Sequence, residues 1–170
     1  MSTSRVTDSV TIIDAPRLGR RGLLGTYLVR GEESVVIDPG PASQTGGVLE
    51  ALRALGASPV NVVCLTHIHL DHAAGSWMIL DQNPAAFVHG HPRGVQHVVD
   101  AGKIKAAAEE VFKEGIKDYG EIRALTQPGL RRPQTEKPWT WAAWSSRSFG
   151  RRATAPTAKA TTSPTAGFSS

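Results

Sequence analysis

The chain has a single cysteine in 170 residues, Cys64. One cysteine cannot form an internal disulfide, so a reducing cytoplasm is the expected compartment. Inside "VNVVCLT", Cys64 reads as an inert core residue, because free cysteine behaves mostly as a small buried hydrophobe. No window approaches the ~20 consecutive apolar residues that cross a bilayer. The N-terminus, "MSTSRVTDSVTIID", lacks the basic-then-apolar layout of a signal peptide. A membrane is therefore not an expected partner. Acidic residues are nearly missing from one part of the chain. Between Thr126 and Ser170 there are seven Lys/Arg and one acid, Glu136, which leaves 12 basic and 14 acidic residues in the first 125. The overall charge of +4 thus belongs to the tail, while the remainder is mildly acidic. That distribution argues against nucleic acid as the partner of the globular part, despite the basic balance.

The tail is poor in other ways. It has no Val, no Ile and one Leu, Leu130, yet it carries three of the four tryptophans: Trp139, Trp141 and Trp144. Such a composition does not build a core, so residues 126–170 read as a basic, low-complexity, disordered tail. Tryptophan has one codon, TGG, which makes the segment testable in another frame. Taking the last base of each codon with the first two of the next, Trp139-Thr140 forces an aspartate and Trp141-Ala142 a glycine. Each junction leading into a tryptophan then encodes Leu, Met or Val. The strand-like result points to a shift of reading frame near residues 125–135.

Before the tail, the pattern is that of an α/β protein. "VTIID" (10–14), "GTYLVRG" (25–31) and "SVVIDPG" (34–40) are strand signals, the last two joined by the turn "GEE" into a hairpin whose second arm ends at Asp38. "QTGGVLEALRALG" sets Val48, Leu52 and Leu55 at helical spacing, with Gly56 as its C-terminal cap. "VNVVCLT" (60–66) is a continuous apolar run, typical of a strand buried on both faces. "AAGSWMILDQNP" predicts a short helix stopped by Pro84, and "AAFVHGH" another strand. In "KIKAAAEEVFKEG", Ile104, Ala108, Val111 and Phe112 share one helical face. Strands alternating with helices indicate a layered α/β architecture.

The chemistry concentrates in "LTHIHLDHAAG" (65–75), where His67, His69, Asp71 and His72 fall within six residues after an apolar strand. His67 and His69 are two apart and can face one side of an extended segment. Asp71 and His72 are adjacent, so they diverge and can serve a second centre. Neutral imidazole and carboxylate are ligands that zinc accepts. An incidental polar loop is the alternative, and it fits poorly, because so many histidines together repel one another on protonation.

"THIHLDHAAG" resembles the H-x-H-x-D-H signature of the metallo-β-lactamase-fold hydrolases. "GTYLVRGEESVVIDPGP" is similar to that family's early hairpin and its aspartate-bearing loop, and the resemblance runs from about Val10 to Leu125. It implies a four-layer αββα sandwich of the α/β (α+β) class, of which residues 1–125 form the N-terminal half. It also implies a dinuclear site, with zinc expected and iron or manganese as alternatives. His67 and His69 match ligands of the first metal, Asp71 and His72 ligands of the second. Asp71 would also act in catalysis by orienting a metal-bound hydroxide that attacks a carbonyl or phosphoryl centre of a small-molecule substrate. Glyoxalase II-like thioester hydrolysis is one such reaction. Asp38 matches a position beneath the site, as a supporting or loop-shaping residue. Gly75 is expected to relieve the backbone at the start of its helix. Of the remaining histidines, His97 is the best candidate to line the pocket, ahead of His89 and His91.

The family also uses a "TPGH"-type histidine, a bridging aspartate and a last histidine downstream. No histidine follows His97, so the first metal has two protein ligands here where a catalytic zinc normally has three. Activity of the chain as written is therefore in doubt, and a half-domain baring sheet surface is expected to oligomerise or aggregate. The competing expectation is a non-catalytic metal-binding or nucleic-acid-binding protein, with the tail's tryptophans as stacking groups.

Overall fold

A computed structural model of the chain describes residues 1–125 and 140–149. Its centre is one six-stranded sheet in the order β1-β2-β3-β4-β5-β6, with neighbours in sequence also neighbours in space. Strands β1 (Ser2–Arg5), β2 (Val10–Asp14), β3 (Thr26–Arg30) and β4 (Ser34–Ile37) run antiparallel. Strands β5 (Val62–Cys64) and β6 (Phe87–His89) continue parallel to β4. The change of direction has a local cause: α1 (Ala42–Ala54) carries the chain from the end of β4 back to the start of β5. A parallel pair needs a crossover of that kind.

Helix α1 ends as its sequence predicts. Gly56 takes φ +65° and its N–H bonds the Arg53 carbonyl, capping a helix whose last turn holds Arg53. After β5 the chain forms α2 (Leu70–Ala73) and α3 (Ser76–Gln82), then α4 (Pro92–Val99), α5 (Ala101–Phe112) and a 3-10 turn over Lys113–Tyr119. The alternation along β2 and β3 sends Ile13 and Leu28 to one face of the sheet, joined there by Val36, Val63 and Val88. Val48, Leu49 and Leu52 of α1 and Ile79 and Leu80 of α3 close this core. The opposite face presents Val29, Val35, Val62 and Phe87, packed around Trp144. Strand β5 is thus buried on both sides, with Val62 and Val63 each 0% exposed, as its unbroken apolar run requires.

Three expectations change. The described part of the tail is not structureless: Trp141–Phe149 form helix α6, whose Trp144 is fully buried against the sheet. Thr140 starts that helix by accepting the Ala143 N–H on its hydroxyl, a capping role the threonine side chain favours. Residues 126–139 and 150–170, including Trp139 and the region of the inferred frame shift, lie outside the described residues. The shared face expected for α5 is also incorrect. Ala108 is buried against Leu70 and Tyr119, but Val111 is 72% and Phe112 44% exposed. The helix docks through its small residue, and the Phe112 ring meets only the edge of its cluster, 5.1 Å from the Tyr119 ring. Finally, the hairpin's second arm stops at Ile37, because Asp38 adopts φ +49° and leaves the extended conformation. Among the described residues no helix is long and apolar enough to cross a membrane.

Candidate metal centre

Parallel strands β4 and β5 deliver their following loops to the same edge of the sheet. Ile37 pairs with Cys64, so Asp38 and Thr66 emerge side by side just past the paired ends. The Asp38 N–H bonds the Cys64 carbonyl at 2.9 Å, which extends the ladder by one step. Two further backbone bonds join the loops, Gly40 N–H to the His72 carbonyl and Gly75 N–H to the Gly40 carbonyl. Gly75 is there for space. Its backbone is ordinary helical, with φ −81°, but a Cβ would stand 1.8 Å from Thr45 Oγ1 and 2.9 Å from the Gly40 oxygen. The expectation that Gly75 relieves backbone strain is thus replaced by one of close approach between loops.

Asp38 is the hub. Its left-handed backbone is a conformation that costs a non-glycine residue about 1–2 kcal/mol and that aspartate tolerates better than most. With its side chain buried, one carboxylate oxygen (Oδ1) accepts the Thr66 backbone N–H at 2.9 Å. The other, Oδ2, accepts the Thr66 hydroxyl at 2.5 Å and lies 3.1 Å from His72 Nδ1. Thr66 Oγ1 also lies 3.0 Å from His67 Nδ1.

These contacts assign both imidazole tautomers. A hydroxyl has one proton, and Thr66 gives it to the carboxylate. Toward His67 the hydroxyl can only accept, so His67 carries its proton on Nδ1. An ionised carboxylate also only accepts, so His72 is protonated on Nδ1 as well. In the neutral rings the lone pair then falls on Nε2, the form in which an imidazole binds a metal. The chain His67–Thr66–Asp38–His72 therefore orients two imidazoles through one carboxylate, an arrangement of the kind that commonly orients ligating histidines.

Ligand atoms from Asp38, His67 and His72 all lie within 4.8 Å of one another. That grouping would admit Asp38 as a ligand. Both of its oxygens also carry contacts to Thr66 and His72. The His69 ring stands edge-on to His67 with centroids 4.7 Å apart, and the His67 and His72 rings are 4.2 Å apart. Asp71 Oδ2 lies 3.7 Å from His72 Nε2. His69 and Asp71 thus border the three-residue group without belonging to it. A cavity of about 10 Å³, room for one water, lies beside Asp38, Asp71 and His72 and is closed by Thr26, Gly40 and Gln44. His97, on α4, is half-buried and does not line that cavity, and neither do His89 and His91. Cys64 lies on the strand beneath. Burial, with the Asp38 charge adding to it, pushes its thiol up to about 12, which suits an inert residue.

The residue that sequence reasoning passed over is Thr66. The signal was its place, a lone hydroxyl between the buried strand and the first histidine of the motif.

The site and fold together define a class. The family profile described as the metallo-beta-lactamase superfamily matches residues 25–154, and the chain belongs to that superfamily. A probable metallo-hydrolase of Methanocaldococcus jannaschii is 30% identical over 54 residues, which are 32% of this chain and 26% of that protein. The native FEZ-1 metallo-β-lactamase from Legionella gormanii superposes with a TM-score of 0.55 at 18% identity, over 73% of this chain and 44% of that one. A metallo-β-lactamase from Cronobacter sakazakii, a mutant of its HARLDQ motif, gives 0.52 at 18% identity, over 60% and 39%. The chain therefore spans about a quarter of the curated relative and about two fifths of these solved structures.

Proposed function

We propose that this chain carries the first half of a dinuclear hydrolase centre, with His67 and His69 toward one metal and Asp71 and His72 toward the other. Zinc is the metal we favour, because neutral imidazoles with one carboxylate form a borderline donor set, which iron and manganese also accept less well. The observation that supports the reading is the hydrogen-bond chain through Thr66 and Asp38, which engages Nδ1 of both His67 and His72 and leaves Nε2 of each outside the chain. When bound, the metal supplies Lewis acidity and makes water a nucleophile at neutral pH. Everything else falls to the protein. Asp38 fixes the two rings, Gly75 lets the two loops close on each other, and Asp71 stands beside His72 as the nearest free carboxylate to hold or orient a proton.

The reaction class is hydrolysis at a carbonyl or phosphoryl centre of a small molecule, with thioester hydrolysis of the glyoxalase II type as the specific candidate. The setting is the cytoplasm, in keeping with a lone, protected Cys64. Ligands beyond these four must come from elsewhere, since no histidine follows His97. The frame-shift reading of residues 126–170 supplies a source, and resequencing across codons 125–135 tests it; an unbroken frame with no downstream TPGH-coding sequence would remove it.

The site itself is tested by metal analysis of purified protein with His67→Ala and Asp71→Ala controls. We expect bound zinc in the parent and lower stoichiometry in both variants. Stoichiometry unchanged by both would reject the centre. The nucleic-acid alternative loses one of its stacking groups, because Trp144 is fully buried.

A further inference from the structure

The turn joining β2 to β3 concentrates positive charge. Between Asp14 and Glu32 the chain has no acid, while Arg17, Arg20 and Arg21 follow one another closely. Arg17 and Arg20 bond each other twice, N–H to carbonyl at 2.8 Å in both directions. Leu18 and Gly19 between them take φ +50° and +74°. This is a two-residue hairpin turn of the kind that needs left-handed backbone at both central positions. Such a conformation is unfavourable for a bulky leucine. The turn sets Arg17 and Arg20 directly opposite each other, with both side chains on one face of the ribbon.

Like charges so placed repel. Among the described residues no carboxylate pairs with Arg17, Arg20 or Arg21. Asp14, the acid nearest in sequence, is turned instead to the Gly22 N–H and the Ser2 hydroxyl. Arg17 is nevertheless held in place, its guanidinium over the Tyr119 ring at 4.5 Å from the centroid. Its Nε is buried and has no hydrogen-bond partner among the described residues. Buried donors are normally paired, so the protein itself leaves this cation unsatisfied. An anion between the two guanidiniums would offset the repulsion, and carboxylate and phosphate both match the arginine fork.

The hairpin stands beside the metal centre. It leaves the sheet at the edge where Asp38 emerges, and Thr26 Oγ1 donates to the Asp38 carbonyl at 2.8 Å. Its base, Ala15, Leu24 and Gly25, lines the same small cavity as Asp38, Asp71 and His72. Arg17 lies two residues beyond Ala15, at most about 7 Å of chain. Tyr119, beneath the Arg17 guanidinium, packs in one cluster with Leu70, the residue between His69 and Asp71. The base is also anchored, because Gln44 of α1 donates to the Ala15 carbonyl at 3.0 Å.

We propose that Arg17 and Arg20 form an anion-binding subsite, which holds a carboxylate or phosphate group of the substrate while the bond to be hydrolysed lies at the metal centre. The proposal rests on the hydrolase reading and narrows it: the substrate is a small anionic molecule. Arg21, next to the pair, adds to the local positive field that draws such a molecule in.

A heteronuclear NMR titration of the full chain at constant ionic strength tests this, with inorganic phosphate and acetate as separate probes. We expect the amide signals of Gly19 and Gly22 to move, with a millimolar dissociation constant for the tighter of the two anions, which identifies the group. Arg17→Gln and Arg20→Gln should each weaken that binding at least tenfold, the scale of one charge-assisted hydrogen bond. Arg20 is exposed, so its substitution leaves the fold intact. Arg17→Lys, which keeps the charge but loses the fork, should weaken binding less than Arg17→Gln does. Arg5→Gln is the control, since Arg5 sits opposite Thr11 near the far end of β2 and pairs with Asp8. Binding as tight in Arg17→Gln and Arg20→Gln as in Arg5→Gln would overturn the subsite. The hairpin shifts should persist in His67→Ala. Shifts confined to residues 66–72 and lost in His67→Ala would put the anion on the metal, overturning the subsite with the hydrolase reading intact. Sedimentation with phosphatidylglycerol vesicles through Leu18, 66% exposed at the turn, with no hairpin shift from either anion, would overturn it in favour of a membrane surface. Zinc stoichiometry unchanged by His67→Ala and Asp71→Ala would instead overturn the substrate assignment and leave only the hairpin's hold on the anion.

Discussion

Replacing Asp38 with asparagine should reverse both histidine tautomers at once. Asparagine is nearly isosteric with aspartate and accepts a left-handed backbone as readily, so φ +49° at this position adds no new strain. Its side-chain oxygen still accepts the Thr66 backbone N–H, now made by Oδ1. The amide nitrogen then occupies the place of Oδ2, facing the Thr66 hydroxyl and His72 Nδ1. It donates where the carboxylate accepted. His72 must offer a lone pair on Nδ1 and carry its proton on Nε2. The Thr66 hydroxyl, accepting a hydrogen bond from the amide, turns its own proton toward His67 Nδ1, and that ring changes in the same way. Both nitrogens that would face a metal become protonated. Loss of one outer-shell partner typically costs 10–100-fold in metal affinity. With two rings affected, the upper end applies, about 100-fold, or ~2.7 kcal/mol at 1.36 kcal/mol per decade. Thr66→Val, which removes the hydroxyl's bonds to Asp38 and His67 but keeps the Asp38–His72 contact, should cost about 10-fold. Competition titration of zinc against a chromophoric chelator at fixed pH measures both. Asp38→Asn protein that is folded and binds zinc within threefold of the parent would refute the tautomer argument.

The remaining predictions concern the scaffold. Gly75→Ala should destabilise the fold by about 1–3 kcal/mol, the cost of forcing an extra carbon into a packed contact, because its Cβ meets Thr45 Oγ1 at 1.8 Å. A shift of the urea midpoint worth less than 0.5 kcal/mol, about the size of an ordinary surface substitution, would contradict the contact. Cys64 has its pKa raised from 9.0 to about 12, chiefly by burial and secondarily by the Asp38 charge. A raised folded-state value means that its contribution to stability is complete below pH 9 and is lost as pH rises toward 12. Urea midpoints should fall across that interval more steeply in the parent than in Cys64→Ala. Iodoacetamide at pH 8 should label the thiol only in denaturant; rapid labelling of the native protein would count against its burial.

Much of this was legible in the residues. β2, β3 and β5 follow from alternation or from an unbroken apolar run, and α1 from Val48, Leu52 and the Gly56 cap. β1 was not, because "STSR" is a polar edge strand whose Thr3, Ser4 and Arg5 are exposed and leave no hydrophobic trace. α5 misled because its apolar residues outnumber its partners, so Ala108 docks and Val111 faces solvent. α6 was hidden by the composition around it. Its signs were local: a capping hydroxyl at Thr140, then Trp141, Trp144 and Ser148 along one side. At the site, the motif drew attention to His67, His69, Asp71 and His72 but not to how the His67 and His72 rings are held. That depends on Asp38, 29 positions before His67 and joined to it through Thr66, a relation only the pairing of β4 with β5 creates.

That pairing has a consequence for how the strand finds its place. Val62 and Val63 are the same residue on opposite faces, and both faces are buried, so sliding β5 by one position would exchange them at little hydrophobic cost. In most strands such a slip is punished by turning apolar groups toward water; here the oily middle is mute about phase. The information is held at the two ends. Asn61 bonds Ser34 through both its backbone and its side chain, and Thr66 locks onto Asp38 with its N–H and its hydroxyl. The strand is like an unmarked ruler read only from its tips, and one of those tips, Thr66, grips the carboxylate that contacts His72. A chain that threads β5 one notch out would lose its alignment and the contact that orients His67 and His72 in the same stroke.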